Sequence, residues 1–298
     1  MIRQPVCLAL LICLVATFPI ITFASDVINQ EDGKVDADGK IVWYDAKLLG
    51  VEGKGWIDTE SYYDRLPLKA KETVRKPVWA LSHCSAGMQI HFATNAKKLM
   101  VRWTLTSKSL AMLHMPATGV SGIDLYYRDK NGNLRFSGNG RPKGVSNTAS
   151  FNLPPSDEYV LYLPLYNGVK LVEFGIPKGK TLSKLLPPAL SCSVVFYGTS
   201  ITQGGCASRP GLATTSIVSR ELGVPVINLG FSGNGRMEQE IADLLCDLDP
   251  AVYVLDTLWN MNSKMVSERV EPFIKKLRQT RSTTPILKKL KSNKIETP

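Results

Sequence analysis

The chain has 298 residues, 44% of them apolar and 21% charged, with a formal net charge of +10. This is the make-up of a globular protein with room for two domains, not of a disordered or low-complexity chain. The lysines are scattered and carry no nucleic-acid motif, so the positive balance fits a solvated surface, an anionic polysaccharide or an acidic cell surface better than nucleic acid.

The first residues read as a leader. Arg3 precedes an apolar run from Val6 to Phe23, and Thr22-Phe23-Ala24 supplies small residues for cleavage before Ser25. A signal peptide over 1–24 is expected, with an uncleaved anchor as the alternative because the run approaches the length that crosses a bilayer. Cleavage would leave a secreted or periplasmic protein with no stable membrane insertion. Removing Arg3 leaves 35 basic against 26 acidic residues, a charge of about +9. Cys84, Cys192, Cys206 and Cys246 would remain; four cysteines allow three pairings, and none forms a C-x-x-C zinc pair.

Residues 25–185 carry strand and turn signals with little helical periodicity. Ile41 to Tyr44, Met88 to Phe92 and Leu99 to Leu105 read as strands. Gly122 to Phe136 reads as a hairpin about Lys130-Asn131-Gly132. Tyr159 to Leu165 and Val169 to Ile176 read as a second hairpin about Tyr166-Asn167-Gly168. Short strands of this kind predict an antiparallel β-sandwich, with Trp43, Trp79 and Trp103 as core candidates.

Pro177-Lys-Gly-Lys and Leu186-Pro187-Pro188 interrupt this pattern, and the boundary is placed at 185/186. Beyond it strands and helices alternate: Val194–Tyr197, a helix over 210–222, a strand from Val224, a helix over 237–248, Ala251–Leu255, a helix over 264–278, and a strand opening at Thr284. This rhythm predicts an α/β three-layer domain with a parallel sheet over 186–287. A basic tail, 288–298, follows.

In open parallel sheets, sites form outside the carboxyl ends of the strands. Those ends read Gly198-Thr-Ser200, Asn228-Leu-Gly-Phe-Ser-Gly233-Asn-Gly and Asp256-Thr-Leu-Trp-Asn260. Acyl transfer needs a nucleophile and donors aimed at a developing oxyanion. Ser200 supplies a hydroxyl, Gly233 a backbone N–H unobstructed by a Cβ, and Asn260 a side-chain amide.

At these three blocks the chain resembles the SGNH (GDSL-like) hydrolases. "GTSITQGG" resembles the nucleophile block, with Thr199 in place of the usual acidic residue; "NLGFSGNG" resembles the glycine block and "LDTLWNMN" the asparagine block. The front half resembles the β-sandwich found ahead of one branch of the family, whose GxDLY signature reads Gly122-Ile-Asp-Leu-Tyr126 here. The resemblance implies a flavodoxin-like hydrolase fold, Ser200 as nucleophile, and Gly233 and Asn260 as oxyanion donors. It also implies a secreted ester hydrolase, removing acyl groups from a polysaccharide or a small ester, with no metal or organic cofactor.

The family's base is a histidine three residues after an aspartate, late in the chain, and no Asp-x-x-His occurs here. The only histidines are His83, His91 and His114, all in the front half. His114 is the candidate to reach across, with Asp256 to orient it. Lys288-Lys-Leu-Lys-Ser-Asn-Lys replaces the apolar continuation expected of a buried strand, so the hydrolase domain reads as C-terminally incomplete and its activity as impaired. The alternative is a non-catalytic glycan-binding sandwich with a remnant hydrolase domain.

Overall fold

The computed structural model describes residues 25–185 and 193–288. The expected leader, the Leu186-Pro187-Pro188 boundary, Cys192 and all but the first residue of the basic tail lie outside the described residues. No helix among them is long and apolar enough to cross a membrane.

Eleven strands build the front half: β1 (Ser25–Val27), β2 (Lys34–Val35), β3 (Ile41–Asp45), β4 (Gln89–Thr94), β5 (Lys98–Leu105), β6 (Ile123–Arg128), β7 (Leu134–Gly140), β8 (Ser146–Asn152), β9 (Tyr159–Tyr162), β10 (Val169–Pro177) and β11 (Leu182–Leu185). They form two antiparallel sheets, β1-β11-β4-β9-β6-β7 and β2-β3-β10-β5-β8. The inward positions meet in one core: Ile90 and Phe92 on β4, Leu99, Val101, Trp103 and Leu105 on β5, and Val172, Phe174 and Ile176 on β10. Alternation along each strand thus sorts apolar from polar side chains, as the sandwich reading requires.

The first hairpin stands as β6–β7, turning at Gly132 with φ +80°. The second does not form: β9 and β10 lie in different sheets. Asn167 is buried and works as a plug, its amide bonding Thr106 Oγ1, Ser107 N and O, and Ser121 Oγ. A Cβ on Gly168 would lie 2.3 Å from the His83 carbonyl. The Asn-Gly pair therefore serves a close crossing between sheets, not a tight turn.

The rear half carries β12 (Val194–Gly198), β13 (Val226–Gly230), β14 (Val252–Asp256) and β15 (Ile286–Lys288), all parallel, in the order β13-β12-β14-β15. The α-helices among the described residues are α1 (Lys76–Ser82), α2 (Ala117–Val120), α3 (Ser200–Gln203), α4 (Thr214–Leu222), α5 (Gln239–Leu245) and α6 (Ser263–Thr280). The expected helix over 210–222 splits into a 3-10 turn, Pro210–Leu212, and α4. That over 237–248 shortens to α5, because Met237 has φ +50°. On α6, Phe273 and Leu277 are buried, with Met265, Val266, Val270 and Ile274 packed beside them.

The two halves interlock. After β3 the chain leaves the sandwich, and Trp56, Leu66, Ala70, Val74 and Val78 join the core of the parallel sheet. Trp79, expected in the sandwich core, packs partly buried against this other cluster, while Trp103 alone of the three candidates sits in the sandwich core. Trp43 is buried against Gly175, with the Arg102 guanidinium 3.6 Å above its ring. Arg65, wholly buried, donates to the carbonyls of Leu81, Cys84, Asn228 and Gly230 and lies 4.9 Å from the Phe231 ring. Desolvation pushes its guanidinium down to about 10, with nearby Cys84, Tyr166 and Asp64 opposing that shift.

The GxDLY motif is a latch between the halves. Asp124 is fully buried and accepts from Arg209 Nη1 (2.9 Å), Gly211 N (2.8 Å) and Asn139 Nδ2 (2.7 Å). Burial raises its carboxyl above the ordinary range, and these three bonds offset only part of that rise. Arg209 also donates to Tyr126 Oη (2.6 Å), and a Cβ on Gly211 would sit 2.5 Å from the Tyr126 ring. Both contact residues of the motif therefore grip the turn that leads into α4.

Candidate active site

β12 runs in as a buried apolar strand and stops at Gly198, whose Cβ position would fall 2.1 Å from Thr202 Oγ1. Thr199 is buried and extended, and Ser200 opens α3, half-buried, at the carboxyl end of the strand. The Ser200 carbonyl accepts from Gly205 N (2.6 Å) and from Tyr166 Oη (3.2 Å), a side chain of the front half. Gln203 fixes the same turn: its Nε2 donates to the Leu165 carbonyl and its Oε1 accepts from Ser232 N.

β13 and β14 flank β12 on either side, so their ends stand beside Ser200. After β13, Phe231 N donates to the Gly198 carbonyl at 3.0 Å. Gly235 presses on the same peptide, where an added Cβ would lie 2.1 Å from the Gly198 oxygen. Between them Gly233 is exposed, with φ +70° and open space where a Cβ would point. After β14, Asn260 sits in a 3-10 turn, Leu258–Asn260. In the amide orientation that satisfies both ends, its side-chain oxygen accepts from Asn234 N (3.0 Å) and Gly235 N (3.2 Å), which turns its Nδ2 hydrogens away from that loop. Asp256, at the end of β14, accepts from Thr202 Oγ1 at 3.2 Å and so ties β14 to α3.

The nucleophile, glycine and asparagine blocks thus gather at one end of three neighbouring strands. The histidines do not join them by hydrogen bonds. His83 Nδ1 bonds Asp64 at 2.9 Å, and that bond, outweighing burial, raises its pKa. His91 lies mostly buried with Nδ1 on Glu158 at 2.7 Å. His114 is exposed, in the two-residue turn closed by Met112 and Met115. That turn stands on α2, where Thr118 Oγ1 bonds the Ser208 carbonyl and Gly119 abuts the Ala207 carbonyl. Its base is therefore next to the loop that follows α3, but no hydrogen bond joins His114 to Ser200.

Among the described residues one group has metal-ligand types close together, Glu60, Asp64 and His83, all within 4.8 Å. Asp64 and His83 are bonded to each other and Glu60 to Lys71, so the group is already satisfied internally. A cleft of about 460 Å³ opens at the other end of the parallel strands, beside Val224 and Pro225, which precede β13. Glu52, Gln89, His91, Arg128, Glu158 and Arg220 line it, and Ser200 does not.

Tyr166, Arg65 and Arg75 are the residues of this region that sequence reasoning passed over. Each reaches the rear half from far away in the chain, and no local period or spacing marks them. Arg75 alone carries a local sign, standing just before Lys76-Pro77 at the start of α1.

Residues 41–182 match the family model described as the GxDLY N-terminus of SGNH-hydrolase-type esterases, and residues 191–296 match the GDSL-like lipase/acylhydrolase family. A protein of Bacteroides ovatus ATCC 8483 described as a GDSL-like lipase is 34% identical, with a TM-score of 0.78 over 83% of this chain and 73% of that one. The salicylyl-acyltransferase SsfX3 from a tetracycline biosynthetic pathway is 18% identical, with a TM-score of 0.63 over 85% and 71%, and shares the fold. No curated protein matches.

Proposed function

Because the chain belongs to the GDSL-like lipase/acylhydrolase family of ester hydrolases, we infer that it is built to cleave a carboxylic ester through an acyl intermediate on Ser200. Ser200 Oγ attacks the ester carbon as its proton passes to solvent water, the carbonyl π electrons move onto oxygen, and Gly233 N–H and Asn260 Nδ2 donate to that oxyanion. Collapse breaks the bond to the leaving oxygen, which takes a proton from water and departs as the alcohol, leaving acyl-Ser200. Water then attacks the same carbon, gives a proton back to Ser200 Oγ and releases the carboxylic acid. The observation that carries this reading is the grip of Asn260 on Asn234 and Gly235, which joins the two donor blocks beside β12.

Proton transfer is the weak step. Two of the three histidines are bonded elsewhere and His114 is exposed without a bond to Ser200. In serine hydrolases loss of the base costs about 10⁶-fold in turnover, roughly as much as loss of the nucleophile. The described residues would by themselves turn over an ester only slowly. The substrate class is an O-acylated, anionic glycan outside the cytoplasm, supported by the net charge of +10 and the leader-like first residues.

A fluorophosphonate carries a far more reactive centre than an ester and leaves a tetrahedral adduct whose oxygen needs the same donors, so slow labelling is expected even of a serine without its base. Labelling mapped to Ser200, and lost in Ser200→Ala, is the expected result, with turnover of a small acetyl ester close to background. Labelling elsewhere, or brisk turnover that survives Ser200→Ala, overturns the reading.

A further inference from the structure

The loop that carries Gly233 is held from outside the hydrolase blocks. Arg75, in the segment that leaves the sandwich after β3, spreads its guanidinium over Asn234: Nη1 donates to Asn234 Oδ1 (2.7 Å) and Nη2 to the Asn234 carbonyl (3.0 Å). The remaining edge pairs with Glu238, through Nε at 2.7 Å and Nη2 at 2.6 Å. Glu238 in turn accepts from Tyr197 Oη (3.2 Å), and that oxygen accepts from Arg236 N and Met237 N. Arg236 Nε returns to the Gly233 carbonyl at 3.0 Å, while Arg269 bonds the Arg236 carbonyl. Asn234 is therefore gripped on one side by Arg75 and on the other by Asn260.

This geometry has a specific consequence for the two donors. Gly233, with φ +70° and nothing packed where its Cβ would be, has no side chain of its own to fix it. Its N–H direction is set by the peptide on either side, and the following residue is the one Arg75 forks. Asn260 depends on the same residue, because Asn234 N is one of its two anchors. The Arg75 guanidinium thus shares in fixing the loop on which both donors depend, beside Arg236 on the Gly233 carbonyl and Gln203 on Ser232 N. A planar fork suits this task, since it makes several bonds in one fixed plane with little entropy lost per bond.

We propose that Arg75 is a positioning residue for the oxyanion donors, so that a side chain of the front half helps to set the rear half's chemistry. The inference rests on Gly233 and Asn260 being those donors. It assigns to Arg75 no contact with substrate.

The test uses the full chain with Arg75→Met and Arg75→Lys, each checked first for an unchanged Tm relative to the assay temperature. Saturation kinetics of Ser200 phosphonylation separate reversible binding of the fluorophosphonate from the bond-forming rate. Misplacing a catalytic group by about 1 Å costs on the order of 100-fold. Arg75→Met is expected to lower the bond-forming rate by about 10- to 100-fold with reversible binding unchanged. Arg75→Lys should recover only part, because an ammonium cannot fork Asn234 and Glu238 together. Amide exchange at Asn234 and Gly235, whose N–H groups bond the Phe231 carbonyl, should quicken in Arg75→Met. A bond-forming rate equal to wild type in Arg75→Met, or full recovery in Arg75→Lys, overturns the proposal. If wild-type Ser200 takes no label, the ester reading itself fails; exchange at Asn234 and Gly235 then decides for Arg75 alone, and unchanged exchange in Arg75→Met refutes its grip on the loop.

Discussion

Asp124→Ala should loosen the junction between the halves more than any other single truncation in the GxDLY motif. The wild-type carboxylate is fully buried and satisfies three donors: Arg209 Nη1, Gly211 N and Asn139 Nδ2. Breaking one side of a buried charge pair costs about 3–5 kcal/mol. Each buried donor left without an acceptor costs about 1–3 kcal/mol. Two features moderate the sum. The Arg209 side chain is 21% exposed and can find water, and Asn139 Nδ2 keeps the Ile123 carbonyl as a partner. The expected loss is therefore about 3–5 kcal/mol. Urea unfolding followed by tryptophan fluorescence reads it, because Trp103 reports on the sandwich core and Trp56 on the other. A double-mutant cycle with Arg209→Ala should return a coupling above about 1.5 kcal/mol, the lower end for close buried charge pairs. A loss under about 1 kcal/mol in Asp124→Ala, within the range of ordinary substitutions, would refute the latch.

His91 should make the protein less stable as pH rises. Burial opposes its charge, but Glu52 and the Glu158 hydrogen bond outweigh that, with Arg128 opposing, and its pKa stands above the ordinary 6.5. A raised folded-state value gives stability that is complete below the unfolded pKa and is lost as pH climbs through the folded one. Tm should fall from 6.5 upward, and His91→Gln should flatten that slope; an equal slope in both proteins contradicts the assignment. Gly235→Ala places a methyl 2.1 Å from the Gly198 oxygen, so the loop must shift away from the nucleophile strand. Overpacking of this kind costs about 1–3 kcal/mol, and Ser200 labelling should slow; wild-type labelling in Gly235→Ala would show that the contact does not matter.

Much of the fold is legible where periodicity and topology agree. The alternation on β4 and β5 predicts which side chains face the sandwich core, and the strand–helix rhythm after Ser193 predicts a parallel sheet. The site follows from a general rule, since each block stands at a strand's carboxyl end. What escapes the sequence is held by partners distant along the chain. Asn167-Gly168 has the letters of a hairpin turn, yet its shape is set by Thr106, Ser107 and Ser121. Trp79 has the composition of a sandwich core residue and the surroundings of the other core. Asp124 carries a motif, but the arginine that explains it lies 85 positions away.

The excursion of the chain between β3 and β4 bears on how such a protein is made and exchanged by evolution. The second core is completed by side chains synthesised long before its strands, so Trp56, Leu66 and Val78 must wait on the emerging polypeptide until β12 to β14 arrive. Closure over that many residues is slow relative to local pairing. A recombination that cuts at the apparent joint near residue 185 would hand on a sheet stripped of part of its own interior. The rear half depends on the front half for part of its own interior.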